Sequence, residues 1–340
     1  MREDESPVVD ETAFTALAEK HRHELQVHCY RMLGSIEDAE DLVQETFLRA
    51  WKKRDTFQGR ATFRAWLYRI ATNACLDFLS AHPRAPLPRR TAKPEAVKAG
   101  DEIPWLQPFP DGLLEPLMPG TAEPDAVVVA KETIELAFIA AIQHLSPKQR
   151  AVLLLRDVLG YPARDTSGIL GTSVISVNSA LQRARATLKE RLPPRRAEWG
   201  AGDDPNAAER RLVQRYIAVM ERGDLSTVAQ AMAELMAEDI RVSMPPQPLY
   251  YGSRHDFYLG VSAYLDPDSP TYAGQWRSVP VHANLQPAVA HYIRPPGGEV
   301  FRAQVLDVLR VEEGTIKEIT AFEGRLFPRF GLSLTLEEGR

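Results

Sequence analysis

The chain has 340 residues, 44% of them hydrophobic and 26% charged, which is enough for two or three separate cores and too much for one. A net charge of −5 excludes a uniformly basic nucleic-acid binder, so any such role has to sit in a segment whose local charge departs from the average. Two cysteines in apolar helical surroundings, Cys29 and Cys75, support neither a disulfide framework nor a zinc site; no apolar run reaches membrane-spanning length; and the opening MREDESPVVDE is too acidic for a secretory leader. A cytoplasmic protein with no cofactor and no metal is the expectation.

From Glu11 to Ser80 the pattern is helical. Phe14, Leu17 and Leu25 precede a turn at Gly34, and Ser35 followed by Asp38 reads as a capping box. The helix that follows, IEDAEDLVQETFLRAWKK, carries Ile36, Ala39, Val43, Phe47 and Ala50 on one face and leaves Asp38, Asp41, Gln44 and Glu45 outward. An acidic helix face ordinarily meets only water. The next block, FQGRATFRAWLYRIATNACLDFL from Phe57 to Leu79, interleaves aromatic and basic side chains at helical spacing. Phe63, Trp66, Leu67, Ile70, Ala74 and Leu76 to Phe78 form a broad apolar stripe, with Arg60, Arg64, Arg69 and Asn73 off it. Rings of this kind are usually core, yet a ring left beside arginines stacks an unpaired base for about 1–3 kcal/mol, which suits single-stranded nucleic acid.

At His82 the character changes to a Pro-rich, aperiodic segment too long for an ordinary loop, read as a linker over 83–126. Between Gly100 and Ala130 it holds six acidic residues and no Lys or Arg. Helical signals resume near Val127, where Ser146, Pro147 and Gln149 supply an N-cap, a first-turn proline and a capping-box partner for a helix from Pro147 to Leu159. A short helix opened by Pro162, a turn at Gly171 and a third helix capped by Ser173 complete a helix-turn-helix pattern. Val177, Leu181, Ala184 and Leu188 keep its last helix inward, and Asn178, Ser179, Gln182, Arg183, Arg185 and Lys189 face away. Ile134 to Arg196 carries ten Lys/Arg against four Asp/Glu, so this is the basic segment the whole-chain average conceals. After a break near Asn206 come two helical stretches, RRLVQRYIAVMERGD and Leu225 to Met236. Candidate strands follow at Ile240 to Met244, Trp276 to Ala283, Ala288 to Ile293, Val300 to Val311 and Ile316 to Phe322.

Two ordered motif pairs carry a family resemblance over Phe14 to Leu192. DAEDLVQETFLRAW with FRAWLYRIATNACLDFL resembles region 2, and LSPKQRAVLLLRDVLGY with the helix-turn-helix resembles region 4, of a sigma-70-type RNA polymerase sigma factor of the extracytoplasmic-function group. The resemblance implies that Asp38, Asp41, Leu42, Gln44, Glu45 and Phe47 grip the β′ clamp helices of core RNA polymerase, with the β flap a second contact. It implies that Arg60, Phe63, Trp66, Arg69 and Asn73 bind the −10 element, a loop from Phe57 to Thr62 capturing a flipped base. By the same mapping Asn178, Ser179, Gln182 and Arg183 read the −35 element, while Ser176, Arg185 and Lys189 suit its phosphates. The chain departs from the family at Thr166 and Ser167, which point to looser packing, and at Asn178 and Ala180, where basic residues are common, so fewer phosphate contacts are expected. Region 3 is absent. The acidic linker, with Trp105 and Phe109, has the charge to follow the positive RNA path of a polymerase.

The last 130 or so residues resemble the SnoaL-like branch of the nuclear transport factor 2-like fold, through MPP at Met244 to Pro246 and the closing RLFPRFGL. The fold expected is therefore multidomain: an all-α region 2 (11–82), the linker (83–126), an all-α region 4 (127–195) and an α+β cone (207–332) that regulates the factor. A cone of this type can hold a small molecule, which makes Tyr250, His282, Asn284, His291 and Asp307 pocket candidates. No acid/base pair among them shows diagnostic spacing, so no catalytic residue is assigned and an enzyme is not expected. The competing reading is a one-component helix-turn-helix regulator with an effector-binding C-terminal domain; such a protein needs no strand-melting surface, and the Phe57 block argues against it.

Overall fold

The computed structural model describes residues 11–57, 62–84, 105–114, 133–191, 205–222, 225–245 and 247–337. The chain divides into two compact units. One is built from Met1–Pro86 with Leu113–Leu192, the other from Leu87–Gly112 with Pro193–Arg340.

The first unit is all helical. Helices α1 (Glu11–Glu19), α2 (Arg22–Leu33), α3 (Ile36–Lys52) and α4 (Phe63–Ala81) form its region 2 part. Their ends are set by local chemistry: Ser35 Oγ accepts the Asp38 N–H at 3.2 Å to start α3, Thr62 Oγ1 accepts the Ala65 N–H at 3.2 Å to start α4, and Gly34 ends α2 in the left-handed conformation at φ 70°. The inward face of α3 holds Ile36, Ala39, Leu42, Val43, Thr46 and Ala50, and that of α4 holds Leu67, Ile70, Ala71, Ala74, Cys75 and Leu79. Cys29 and Cys75 are buried free thiols.

The region 4 part contains α5 (Leu136–Ile142), α6 (Pro147–Leu153), α7 (Ala163–Leu170) and α8 (Val174–Arg191). The expected capping box of Ser146 and Gln149 is present at both ends. The helix expected to run to Leu159 instead loosens into a π turn over Leu154–Val158, and Gly171 makes the tight turn of the helix-turn-helix at φ 60°. Ser173 Oγ accepts the Ser176 N–H at 3.1 Å and starts α8.

Two buried arginines join the two parts. Arg31 donates to Thr133 Oγ1 at 2.8 Å and to the Thr133 carbonyl at 3.2 Å. Arg150 donates to four carbonyls, those of Ile142 at 3.0 Å, Gln143 and Leu145 at 3.2 Å and Met32 at the end of α2. Burial pulls its pKa down to about 9, which still leaves it charged at neutral pH, and the four carbonyls compensate the buried cation. The rings of Tyr68 and Tyr161 meet edge to face at 6.1 Å in the same contact.

The second unit is α+β, as expected. Helices α9 (Pro205–Arg222), α10 (Leu225–Leu235) and α11 (Arg254–Leu265) accompany strands β1 (Met236–Met244), β2 (Gln247–Tyr251), β3 (Gln275–Ala283), β4 (Gln286–Arg294), β5 (Phe301–Glu312), β6 (Thr315–Glu323) and β7 (Thr335–Leu336). The sheet order is β2-β1-β6-β5-β4-β3, with β7 on β5; β1 and β6 run parallel and the other pairs antiparallel. The five expected strands are present, whereas β2, β7 and α11 were not expected. Tyr216, Met220, Met232 and Phe257 from the helices close on Ile240, Val289, Leu309 and Ile319 from the sheet to make its core.

Part of the expected linker belongs to this unit. Phe109 is fully buried, and its N–H donates to Asn284 Oδ1 at 2.8 Å while its carbonyl accepts the Asn284 N–H at 2.8 Å. Pro110 forms a β-bridge with Ala283, and Asp111 Oδ1 accepts the Leu285 N–H at 2.8 Å. The docking site is the two-residue turn between β3 and β4, where Asn284 and Leu285 both sit at φ 57°. A leucine in that region costs on the order of 1 kcal/mol. Three strap hydrogen bonds hold the turn there. Residues 105–112 are thus a strap on the cone, a different neighbour from the RNA path expected for Trp105 and Phe109.

Candidate functional site

The expected −10 surface is an aromatic cluster at the start of α4. Phe57, Phe63 and Trp66 lie 5.3 to 5.6 Å apart, centroid to centroid, and Phe14 backs Phe63 at 5.7 Å. Phe57, Phe63 and Trp66 are half-buried, core on one side and open on the other, so the stripe does not bury them as it buries Leu67 and Ile70. Arg69 is exposed and Asn73 half-buried further along α4. Arg64 is drawn away from this face, pairing with Glu24 at 2.7 Å over the Tyr68 ring. Arg60 lies outside the described residues.

The acidic face of α3 needs correcting in part. Asp41 and Gln44 are exposed as expected. Leu42, expected at the polymerase contact, is 8% exposed and packs inward; it stands one turn from Ala39 and Thr46, at the edge of the buried stripe. Asp38 pairs with Arg84, and Glu45 holds Arg49 at 2.8 Å, which also reaches Asp77 at 2.7 Å. Phe47 is half-buried with the Arg22 guanidinium 4.9 Å from its ring centre.

On α8 the structure puts Ser176, Asn178, Ser179, Gln182, Arg183, Arg185 and Lys189 on the solvent side. Arg185 is bidentate to Asp157 at 2.8 and 2.7 Å, so it is held by the protein and its cation is partly neutralised before any phosphate arrives. Ala180 is 9% exposed and faces inward, which removes it as a DNA-facing position. Ile175, not singled out from sequence, is 79% exposed beside Ser176. The departure at Thr166 has a physical consequence: its side chain is fully buried and its hydroxyl lacks a hydrogen-bond partner.

The cone brings together an acid/base cluster that sequence spacing does not indicate. His291 Nε2 lies 3.1 Å from Asp307 Oδ2, its Nδ1 lies 2.8 Å from Ser278 Oγ, and the Tyr216 hydroxyl donates to Asp307 Oδ2 at 2.6 Å. His291 is fully buried. Burial, reinforced by the neighbouring carboxylate, pushes the Tyr216 hydroxyl well above its ordinary pKa, so it stays a donor. Ser278 and Tyr216 were missed because strand register and a helix crossing, not spacing, bring them to this pair. Of the other pocket candidates, Asn284 holds the strap, His282 is exposed and Tyr250 half-buried. Among the described residues no group of three or more His, Cys, Asp or Glu is placed to hold a metal. No described helix is long and apolar enough to cross a membrane.

Comparison with known proteins agrees with this division. Family models match at residues 17–85 (Sigma-70 region 2), 135–188 (Sigma-70, region 4) and 213–319 (SnoaL-like domain). Helical regions 2 and 4 followed by an α+β domain of the SnoaL and nuclear transport factor 2-like type define a sigma-70-type factor with a fused C-terminal domain. The chain is 41% identical over 326 residues to the ECF RNA polymerase sigma factor SigG of Mycobacterium tuberculosis, covering 94% of this chain and 84% of that one. It is 31% identical over 213 residues to SigJ of the same organism, covering 62% and 59%. The crystal structure of M. tuberculosis SigJ shares the fold at TM-score 0.55 and 22% identity, over 92% of this chain and 97% of that one. The chain belongs to the ECF RNA polymerase sigma factors.

Proposed function

We propose that this factor brings core RNA polymerase to promoters and melts them, with the strap and cone controlling when it does so. Asp38, Asp41, Gln44, Glu45 and Phe47 on α3 meet the β′ clamp helices, Leu42 supporting them from beneath, and region 4 meets the β flap. The −35 duplex is read by Asn178, Ser179, Gln182 and Arg183 and anchored through Ser176, Lys189 and Arg185. Phe63, Trp66, Arg69 and Asn73, with Arg60 just before them in the sequence, take the −10 element as single strand. Unstacking a base costs a few kcal/mol, which one or two aromatic platforms offset.

The observation that carries this reading is the half-exposed Phe57, Phe63 and Trp66 cluster beside exposed Arg69, in a chain that also presents a helix-turn-helix. A regulator that only binds duplex has no use for such a platform. Control by the cone is supported by the strap: the segment between regions 2 and 4 is held by the β3–β4 turn, so the C-terminal domain restrains the tether that sets how far the two DNA-reading parts can separate. Run-off transcription with core polymerase, on a promoter selected in vitro with the holoenzyme, tests the proposal. Transcript is expected from the intact chain and a loss of about tenfold or more from Asn73→Ala and from Gln182→Ala, in line with 1–3 kcal/mol per base-reading contact; no transcript from the intact chain refutes it.

A further inference from the structure

The ends of β3, β4 and β5, with the last turns of α9 and α11, enclose an open cavity of about 500 Å³. Its size falls in the range of small-molecule sites. The walls are aromatic, with Trp276, Phe301 and Tyr272, and the rim is cationic, with Arg222, Arg277 and Arg294 against Glu221 as the one acid among the described lining residues. Glu221 is already engaged, its Oε1 accepting the Ser278 N–H at 2.7 Å.

Arg277 and Arg294 both lie over the Phe301 ring, at 5.0 and 4.9 Å from its centre. Two guanidinium groups on one ring repel each other, and Arg294 is steadied by a neutral amide, that of Gln275. No described carboxylate forms an ion pair with Arg222 or Arg277. The backbone is tailored to this closeness: at Gly274, φ 114°, a Cβ would stand 2.0 Å from the Arg294 carbonyl. The Trp276 ring meets His291 edge to face at 5.6 Å, so the wall of the cavity is continuous with the Ser278, His291 and Asp307 cluster, and the Trp276 Nε1–H has no acceptor among the described residues.

The geometry points to a binding site for an organic anion with a flat ring system. Its rings lie against Trp276 and Phe301, and its carboxylate or phosphate is held between the guanidinium groups by charge-assisted hydrogen bonds. This site is independent of the control proposed for the strap, since an anion can bind the cone whether or not transcription responds.

Isothermal titration of the full-length chain with 2-naphthoate, 2-naphthyl phosphate and neutral 2-naphthamide tests it. Saturable one-site binding is expected for an anion, with the tighter of the two identifying the head group, and with the amide weaker by at least about tenfold, the loss of one charge-assisted bond. Arg277→Gln is expected to cost the preferred anion about tenfold at unchanged melting temperature, and Arg222→Gln to weaken it in the same direction. Equal binding of anion and amide, an affinity untouched by Arg277→Gln in a folded chain, or no saturation up to the solubility of both anions overturns the inference.

Discussion

Phe109 and Asn284 exchange two hydrogen bonds, each 2.8 Å, across 175 residues of sequence. One partner belongs to the segment between regions 2 and 4, the other to the turn at the tip of the β3–β4 hairpin. Asn284→Gly keeps a backbone that tolerates φ 57° but removes the side-chain acceptor, leaving the buried Phe109 N–H unanswered at about 1–3 kcal/mol. Amide exchange at Phe109 is expected to speed by about ten- to a hundredfold in this variant, while β5 and β6 amides keep their protection. Unchanged protection of Phe109 contradicts the strap.

The strap is also pH-sensitive. Burial pushes the Asp111 carboxyl up to about 6 from 3.8, against the Leu285 N–H and nearby His282, which both pull it down. A released strap has the ordinary value, so between the two the docked state binds more protons. Docking therefore tightens as pH falls through about 6 and loosens as pH rises past it. Strap protection, corrected for intrinsic exchange, is expected to be greater at pH 5 than at pH 7.5 and to lose this dependence in Asp111→Asn. The same pH response in that variant would assign it to another group.

Arg31 and Thr133 join the region 2 and region 4 parts of the first unit. Elements at −10 and −35 stand about 25 base pairs apart, roughly 85 Å at 3.4 Å each, whereas Tyr68 and Tyr161 touch in the isolated factor. If the chain engages both elements as proposed, the two parts separate on the promoter. Thr133→Val removes one of the buried bonds at isosteric volume and is expected to favour the open form by about 1 kcal/mol. Energy transfer between dyes at positions 52 and 189 should fall in the variant; an identical distance distribution counts against a closed resting state.

Thr166 offers a stability test. Its buried hydroxyl has no partner, so Thr166→Val keeps the shape and relieves a desolvated polar group, raising stability by about 1 kcal/mol. Urea unfolding reads this directly, and a lower midpoint would mean that the hydroxyl is answered.

Much of this architecture is written locally. Ser35, Ser146 and Ser173 each start the helix that the capping pattern places after them, and Gly34 and Gly171 end theirs at positive φ. The outward residues of α8 follow from its period. What spacing does not carry is contact between elements. Leu42 and Ala180 sit at stripe edges, where a small rotation of the helix decides the face. His291 and Asp307 are ordinary strand residues until β4 and β5 align and α9 lays Tyr216 over them. The strap was hidden because a proline-rich acidic segment reads as solvated tether, and only the strained turn of Asn284 and Leu285 gives it a place to bind.

Permanganate footprinting of a promoter complex decides whether this chain melts DNA, because it reads unpaired thymines whatever the state of the cone. With core polymerase and the intact chain, reactivity is expected within the −10 element, absent with either component alone and strongly reduced with Asn73→Ala. A chain that protects promoter duplex without core polymerase and opens no thymines with it would be a simple helix-turn-helix regulator and not a melting factor.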